Sequence, residues 1–300
     1  MLTAAIDRYL ELRRALGYKL ETDGQMLHSF ARFAGQCGDS HLQSHTALAW
    51  AARAATPRQR DKRTRALVGL GRFLHAEDPG HEIPPRLHAC AAHNRPLPYI
   101  LSPEQIGRLV EAAAQLRPRR SMRPLTFSTL FGLLAVSGLR VSEALHLRFD
   151  DLRPDALVIR ETKFHKSRLV PLHPSTAAAL TRYLERRQCV VSNHDHLFLS
   201  LKRRPLCYET VRRAFREVCA ATGMQQVSRL RLHDLRHSMA VRALEACPHG
   251  RSQVTPHVLA LSTYLGHASV RGTYWYLQGS PRLMRDVAAV AEAWMGGAQS

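Results

Sequence analysis

The sequence predicts a mainly helical protein of the α+β class, with two domains and one small β element. Apolar residues recur at spacings of three and four along most of the 300 residues, which is typical of amphipathic helices. Five prolines interrupt this pattern between residues 78 and 98, where a helix cannot continue. We therefore predict an N-terminal helical domain over residues 1–80, a linker over 81–98 and a larger, mostly helical domain over 99–300.

Four helices are predicted in the N-terminal domain. Apolar spacing alone places the first three at about residues 6–16, 26–33 and 44–55. The fourth begins after Thr56, a residue type that caps helices, with Pro57 in its first turn. The first half of this helix is dense in basic side chains: Arg58, Arg60, Lys62, Arg63 and Arg65. We expect this segment to contact a polyanion, with a merely solvated basic surface as the alternative.

The larger domain is predicted to open with a helix after Ser102, because Ser102 and Gln105 can form a capping box. Residues 126–147 indicate a buried helix, a turn and the start of another helix. Two β-prone runs, residues 156–160 and 168–172, flank a polar turn and predict an antiparallel hairpin. The remaining helices are predicted at residues 174–188, 208–222, 233–247 and 255–266 and, near the C-terminus, 281–295.

The charge of the chain indicates a nucleic-acid partner. There are 43 basic and 24 acidic residues, which give a formal net charge of +19 and a pI of about 10.6. A surface this basic attracts polyanions. Only five of the basic residues are lysines, and the planar guanidinium of arginine binds phosphate oxygens in pairs. This arginine content favours DNA as the partner.

Cysteine usage and hydropathy indicate a cytoplasmic protein. The six cysteines show neither CxxC pairs nor a regular spacing, which is typical of reduced thiols. No apolar run reaches the length of a transmembrane helix, and the N-terminus lacks the basic region of a secretory signal. We expect no membrane partner.

Three separated motifs carry the residues that could perform chemistry. They are Ser137-Gly138-Leu139-Arg140-Val141-Ser142-Glu143, His233-Asp234-Leu235-Arg236-His237, and the stretch from Leu265-Gly266-His267 to Tyr276. Arginines can neutralise the non-bridging oxygens of a phosphodiester, a histidine can move a proton, and a tyrosine can attack phosphorus. Together these groups could cleave a phosphodiester without a metal ion.

In this order the motifs resemble those of the tyrosine recombinases, the phage-integrase family, over about residues 97–280. The resemblance implies that the N-terminal part is a helical core-binding domain and that the larger part is a catalytic domain. It further implies that Arg140 and Arg236 bind the scissile phosphate and that His233 accepts the proton of the nucleophile. Glu143 and His237 are expected to support the site without touching the phosphate.

The nucleophile is identified by its distance from a histidine. His267 precedes Tyr276 by nine residues, which matches the family's Leu-Gly-His…Tyr box. The resemblance therefore implies that His267 donates a hydrogen bond to a phosphate oxygen and that Tyr276 attacks phosphorus. Tyr274 is the rival nucleophile, but only Tyr276 is in the family register.

A lysine in the hairpin turn is the expected general acid. When the turn is aligned with the family on Arg168 to Pro171, Lys163 takes the catalytic position and Lys166 the second one. The glycines that the family has in this turn are absent, so Lys166 stays open as the alternative. Lys163 would protonate the departing 5′ oxygen, whereas Lys166 and Arg168 are expected to contact DNA.

The resemblance implies a site-specific recombinase that cuts and rejoins DNA through a 3′-phosphotyrosine intermediate, with no metal, cofactor or ATP. Its implied partners are duplex DNA with an inverted-repeat core site and further copies of the chain, as a dimer on one site and a tetramer in the synapse. The C-terminal helix at 281–295 would link these copies. Sister recombinases or accessory proteins are possible partners, and the expected location is the bacterial nucleoid.

Three other functions compete with this hypothesis. A metal-dependent hydrolase could use four histidines, His165, His233, His237 and His267, but Arg236 among them disfavours a cation. A DNA-binding accessory protein on the same fold would not need the full catalytic set. A type IB topoisomerase shares the chemistry, and the small N-terminal domain, which lacks an obvious large clamp, favours the recombinase.

Overall fold

The structure is a computed structural model in which the chain divides into two compact units, Met1–Arg95 and Pro96–Ser300. The division lies inside the segment 81–98 that was predicted as a linker. The residues that the structure describes are 2–18, 20–86, 98–160, 167–224, 230–247, 251–267, 269–270, 272–273 and 276. Most of the predicted linker, the turn of the hairpin and the predicted C-terminal helix at 281–295 lie outside these residues.

The first unit contains the four helices that the sequence predicts. They are α1 (Leu2–Ala15), α2 (Glu21–Gln36), α3 (Ser44–Ala52) and α4 (Pro57–Glu77). One apolar core joins them, in which Phe30 packs edge-on against Trp50 with ring centroids 5.5 Å apart. The predicted N-cap of α4 is confirmed, because the Thr56 hydroxyl accepts a hydrogen bond from the backbone N–H of Gln59 at 3.2 Å.

The second unit is mostly helical and contains one antiparallel hairpin, as predicted. Its elements are α5 (Pro103–Ala113), α6 (Met122–Ser137), α7 (Val141–Leu145), a 3₁₀ turn (Phe149–Asp151), β1 (Ala156–Ile159), β2 (Arg168–Pro171), α8 (Pro174–Gln188), α9 (Tyr208–Ala221), α10 (Leu232–Glu245) and α11 (Arg251–Leu265). The strands pair in register from Ala156 opposite Pro171 to Ile159 opposite Arg168. Helix α11 begins four residues before the predicted start at residue 255, and Pro256 lies inside the helix.

Helix α6 is the centre of this unit and determines where the site forms. It packs against α5, α8 and α10, and its Phe131 contacts Phe215 of α9 edge-on at 5.5 Å. The helix ends at Gly138, whose φ of 61° lies in the left-handed region. A Cβ there would lie 3.1 Å from the sulfur of Met239 on α10, so both conformation and space favour glycine. The tight turn directs the next residues, including Arg140, toward the C-terminal end of α11.

A second, smaller apolar cluster joins the last described elements. Residues of α10 and α11 form it together with Tyr276, of which only 2% is exposed. Tyr276 is therefore held by packing as well as by polar contacts. In the described part of the chain, no helix combines the length and apolar character that crossing a membrane requires.

Candidate active site

The structure brings four of the predicted catalytic residues together: Arg140, Arg236, His267 and Tyr276. A guanidinium nitrogen of Arg236 lies 3.1 Å from Nε2 of His267. The rings of His267 and Tyr276 are nearly parallel, with centroids 5.9 Å apart. The Tyr276 hydroxyl lies close enough to Arg236 to raise the pKa of that guanidinium. The tyrosine is thus in contact with the cation that would bind the phosphate.

Arg236 is a buried cation with two fixed backbone partners. Only 2% of the residue is exposed. Its Nη1 donates to the carbonyl of Gly138 at 2.6 Å, and its Nη2 donates to the carbonyl of Leu265 at 2.7 Å. Burial lowers the pKa of the Arg236 guanidinium, while the neighbouring Tyr276 raises it. Arginine stays protonated in proteins, so the site contains a permanent positive charge.

Three arginine side chains meet at the C-terminal end of α11. The carbonyl of Tyr264 accepts from Nε of Arg168 at 2.8 Å, and the carbonyl of Gly266 accepts from Nη2 of Arg140 at 2.8 Å. Between them, the carbonyl of Leu265 accepts from Arg236. The last carbonyls of a helix lack partners within the helix and carry partial negative charge. These carbonyls therefore orient the guanidiniums without any bound phosphate.

Glu143 connects Arg140 with Arg168. Its carboxylate accepts from the backbone N–H of Arg140 at 3.0 Å and from Nη1 of Arg140 at 2.6 Å. Both carboxylate oxygens also accept from Arg168, at 2.8 and 3.1 Å. Burial disfavours the charged form, but the hydrogen bonds from Arg168 and Arg140 outweigh burial and lower the pKa of Glu143. The carboxylate is thus a charged support for Arg140.

His267 is a neutral imidazole with a defined tautomer. Burial, followed by the charges of Arg236 and Arg140, lowers its pKa to about 4. Because a guanidinium can only donate, Nε2 of His267 accepts from Arg236. Nδ1 then carries the proton and donates to the hydroxyl of Thr273, 2.8 Å away. Thr273 is fully buried and was not found from the sequence, although its place three residues before Tyr276 was a possible signal.

We expect Thr273→Val to destabilise the catalytic unit. Valine has a similar shape but leaves the Nδ1 proton of His267 without its acceptor, which costs about 1–3 kcal/mol of unfolding free energy. Urea unfolding measures this loss. The matched control is Thr263→Val on the exposed side of α11, where the hydroxyl bonds to the carbonyl of Leu259, and a change within about 0.5 kcal/mol is expected. Equal losses in both variants would contradict the role of Thr273.

The two histidines of α10 differ in environment. His233 is exposed, whereas His237, one turn later, is buried. Their rings meet edge-on at 4.4 Å, and the ring of His237 lies 5.3 Å from that of Tyr276. His237 therefore supports the tyrosine by direct contact, while His233 lies on the solvent side of this pair. Proton transfer by His233 stays a prediction.

Three of the predicted residues lie outside the described part of the chain. They are the two lysines of the hairpin turn, Lys163 and Lys166, and the rival nucleophile Tyr274. Arg168, which we expected to contact DNA, has its side chain only 10% exposed and bonded to Glu143 and to α11. The structure therefore places Arg168 inside the protein, behind Arg140.

The basic residues of α4 also differ in their surroundings. The Arg63 guanidinium lies over the ring of Trp50 at 4.5 Å and donates to the Trp50 carbonyl at 2.9 Å. Lys62 forms an ion pair with Asp23 of α2 at 3.3 Å. These two side chains thus help to join the helices of the first unit. Arg58, Arg60 and Arg65 are exposed, as is Lys62, and Arg65 forms an ion pair with Asp61 on the same helix.

One cluster among the described residues has three side chains of the types that bind metals: His41, Asp78 and His81. Nδ1 of His81 accepts a hydrogen bond from the backbone N–H of Leu42 at 2.9 Å. The proton of the neutral ring is then on Nε2, which has no lone pair to offer a metal. The cluster therefore offers two ligands rather than three.

Comparison with known proteins identifies the class. Residues 100–282 match the model of the phage integrase family. The chain is 39% identical over 295 residues to y4rB of Sinorhizobium fredii, described as an integrase/recombinase, covering 94% of both chains. It is 30% identical over 231 residues to the tyrosine recombinase XerD of Caulobacter vibrioides, covering 75% of this chain and 72% of XerD.

A solved structure shares the fold. The XerH site-specific recombinase, bound to its palindromic difH substrate, matches with a TM-score of 0.65 over 91% of this chain and 80% of that one, at 18% identity. Fold and sequence together define a DNA strand-transferring enzyme. The chain belongs to the phage integrase family, the tyrosine recombinases.

Proposed function

We propose that this protein is a site-specific DNA recombinase that cuts and rejoins duplex DNA through a covalent bond between Tyr276 and a 3′ phosphate. The observation that carries the proposal is that Arg236 contacts both His267 and the Tyr276 hydroxyl. A phosphate bound by Arg236 would therefore lie beside the attacking oxygen. The names of the relatives y4rB and XerD support a role in integration or related recombination.

In the proposed mechanism, Arg140 and Arg236 neutralise the non-bridging oxygens of the scissile phosphate. The Tyr276 oxygen attacks phosphorus and the bond to the 5′ oxygen breaks, which leaves a 3′-phosphotyrosine and a 5′ hydroxyl. His233 accepts the proton of the tyrosine, and Lys163 donates a proton to the departing oxygen. Attack by a 5′ hydroxyl from another strand reverses these steps, so rejoining needs neither ATP nor a metal.

His267 changes its role when phosphate binds. In the DNA-free geometry its Nε2 accepts a hydrogen bond from Arg236, so Nε2 cannot donate to a phosphate oxygen. A bound phosphate adds negative charge beside the ring, which favours protonation. We infer that His267 takes up a proton as the phosphate binds and then donates it in a hydrogen bond.

The proposed substrate is duplex DNA with an inverted-repeat core site, bound by a dimer and paired in a tetramer. XerH, a protein of the same fold, is described as bound to a palindromic substrate. In the tail, Leu283, Val287, Val290 and Trp294 follow helical spacing, and we propose that this segment links the copies. Sister recombinases or accessory proteins would act on the same complex, in the bacterial nucleoid.

Covalent capture tests the proposed function. Duplex fragments from the DNA beside the gene are mixed with the protein in excess EDTA without ATP, and protein-linked strands are sequenced after denaturation. We expect the linked strands to end at a common site through their 3′ phosphate. Linkage that requires magnesium, or linkage through 5′ ends, would contradict the proposal.

DNA affinity is expected to fall steeply with salt, because the bound arginines displace counterions. The logarithm of the binding constant should fall by about 0.9 for each phosphate neutralised, per tenfold rise in salt. Titrations from about 50 to 200 mM salt measure this slope. A flat affinity over that range would argue against DNA binding.

The exposed arginines of α4 provide a matched comparison. Replacing Arg58 and Arg60 with alanine should reduce the slope by about 1.8, that is, two contacts. Arg72→Ala is the control, since Arg72 is also exposed on α4 but lies about 21 Å further along the helix from Arg58. Equal effects of the two changes would show that the basic segment has no special role.

A further inference from the structure

All three guanidinium nitrogens of Arg168 donate hydrogen bonds inside the protein. It is the first residue of β2, and 10% of its side chain is exposed. Its Nη1 and Nη2 donate to the two carboxylate oxygens of Glu143 at 3.1 and 2.8 Å, and its Nε donates to the Tyr264 carbonyl at 2.8 Å. The planar fork of arginine suits this bidentate arrangement, which a lysine cannot reproduce.

Both parts of the protein that Arg168 binds, the Glu143 carboxylate and the C-terminal end of α11, also bind Arg140. Glu143 accepts from the backbone and from the guanidinium of Arg140. The helix end that Arg168 binds through Tyr264 continues to Gly266, whose carbonyl accepts from Arg140. Arg168 and Arg140 are thus joined twice, through one carboxylate and through one helix end.

Gly266 makes room for this arrangement. A Cβ on Gly266 would lie 2.7 Å from Nη1 of Arg168, and its φ of 65° lies in the left-handed region. The Arg168 guanidinium therefore lies directly against the residue before His267. A shift of Arg168 would disturb Arg140 on one side and the start of the His267 segment on the other.

Arg168 also ends the turn that contains Lys163. It follows Lys163 by five residues and pairs across the hairpin with Ile159. Because Arg168 is bonded to α7 through Glu143 and to the end of α11, it fixes the base of that turn beside the phosphate-binding arginines.

We propose that Arg168 is a positioning residue, which sets the orientation of Arg140 and the base of the hairpin turn and does not touch DNA. The proposal rests on the proposed function of Arg140. It replaces the expectation, drawn from the sequence, that Arg168 is a DNA contact.

Arg168→Lys keeps the charge but cannot bond both carboxylate oxygens and the carbonyl. We expect the single-turnover rate of covalent cleavage to fall about 10- to 100-fold, because small misplacements of a catalytic group have effects of this size. DNA affinity and its salt slope should stay within about twofold of wild type, since no phosphate contact is lost. Arg160→Lys is the matched control, because Arg160 follows β1 on the opposite side of the hairpin, has an exposed side chain and pairs with Asp151 rather than with Glu143.

A second variant tests the route of the effect. Glu143→Gln keeps the shape of the bridging side chain but removes its charge. If Arg168 acts through Glu143, the double variant should be no slower than the slower single variant, whereas independent effects would multiply. The single variant Glu143→Gln, which weakens the same contact from the other side, covers the case in which Arg168→Lys folds poorly.

Two results would overturn the proposal: cleavage at the wild-type rate by Arg168→Lys, or, in the charge-removing variant Arg168→Gln, a salt slope reduced by about 0.9 with an unchanged cleavage rate on bound DNA. The latter would identify Arg168 as a phosphate contact. Failure of the proposed function is distinguishable, because wild-type protein would then form no covalent adduct at all.

Discussion

Tyr276→Phe is expected to abolish the covalent DNA adduct while DNA binding persists. The substitution removes only the hydroxyl, which is the proposed nucleophile. The ring keeps its contacts with His267 and His237 and its place in the apolar cluster of α10 and α11, so the fold should be retained. A nicked duplex, from which the cleaved end diffuses away, traps the adduct, and a denaturing gel detects it as a DNA-linked protein band.

Tyr274→Phe is the matched control, because it makes the same change two residues earlier. We expect this variant to form the adduct like wild type. An adduct from Tyr276→Phe would mean that another residue attacks, and its loss in Tyr274→Phe would then identify Tyr274. DNA binding by both variants, measured by gel shift, shows that loss of the adduct is a chemical effect.

Lys163→Ala is expected to slow cleavage of ordinary DNA by about 10²- to 10⁴-fold, the usual contribution of a general acid. The 5′ oxygen is a poor leaving group and needs a proton. A 5′-bridging phosphorothiolate leaves as a thiolate and does not need one. The variant should therefore cleave the sulfur-substituted duplex at close to the wild-type rate, which single-turnover kinetics on the two substrates measures.

Two variants serve as controls for the lysine. Lys166→Ala should lose much less on ordinary DNA, because it would remove only one phosphate contact. Arg140→Ala should stay slow on both substrates, since charge neutralisation is needed whichever atom departs. If sulfur substitution rescues Lys166→Ala but not Lys163→Ala, then Lys166 is the general acid and the hairpin alignment is wrong by three residues. If it rescues neither variant, His165 in the same turn becomes the next candidate for the general acid.

Features that depend on neighbouring residues could be predicted from the sequence. The caps at Thr56 and at Ser102 with Gln105 are confirmed, because a cap needs only residues three positions apart. The hairpin and the helices follow from local periodicity in the same way. The grouping of Arg140 with Arg236 came from the resemblance, and the structure brings both to the same helix end.

Features that depend on distant contacts could not be predicted. Arg168 lies in a polar, basic stretch that is typical of a surface, and only the folded chain brings it to Glu143, 25 residues away, and to Tyr264, 96 residues away. The same holds for the contact of His237 with Tyr276, 39 residues away. Thr273 had no signal beyond its spacing, because a threonine before a tyrosine has many ordinary uses.

Because three arginines are attached to one helix end, the proposed phosphate-binding groups and the proposed nucleophile are held by different parts of the chain. The guanidiniums are anchored at residues 264–266, whereas the nucleophile follows ten residues after Gly266. A movement of the short stretch between His267 and Tyr276 would withdraw the tyrosine and leave the anchored cations in place. Such a change would separate phosphate binding from cleavage, because the phosphate-binding groups would keep their geometry while the proposed nucleophile is displaced.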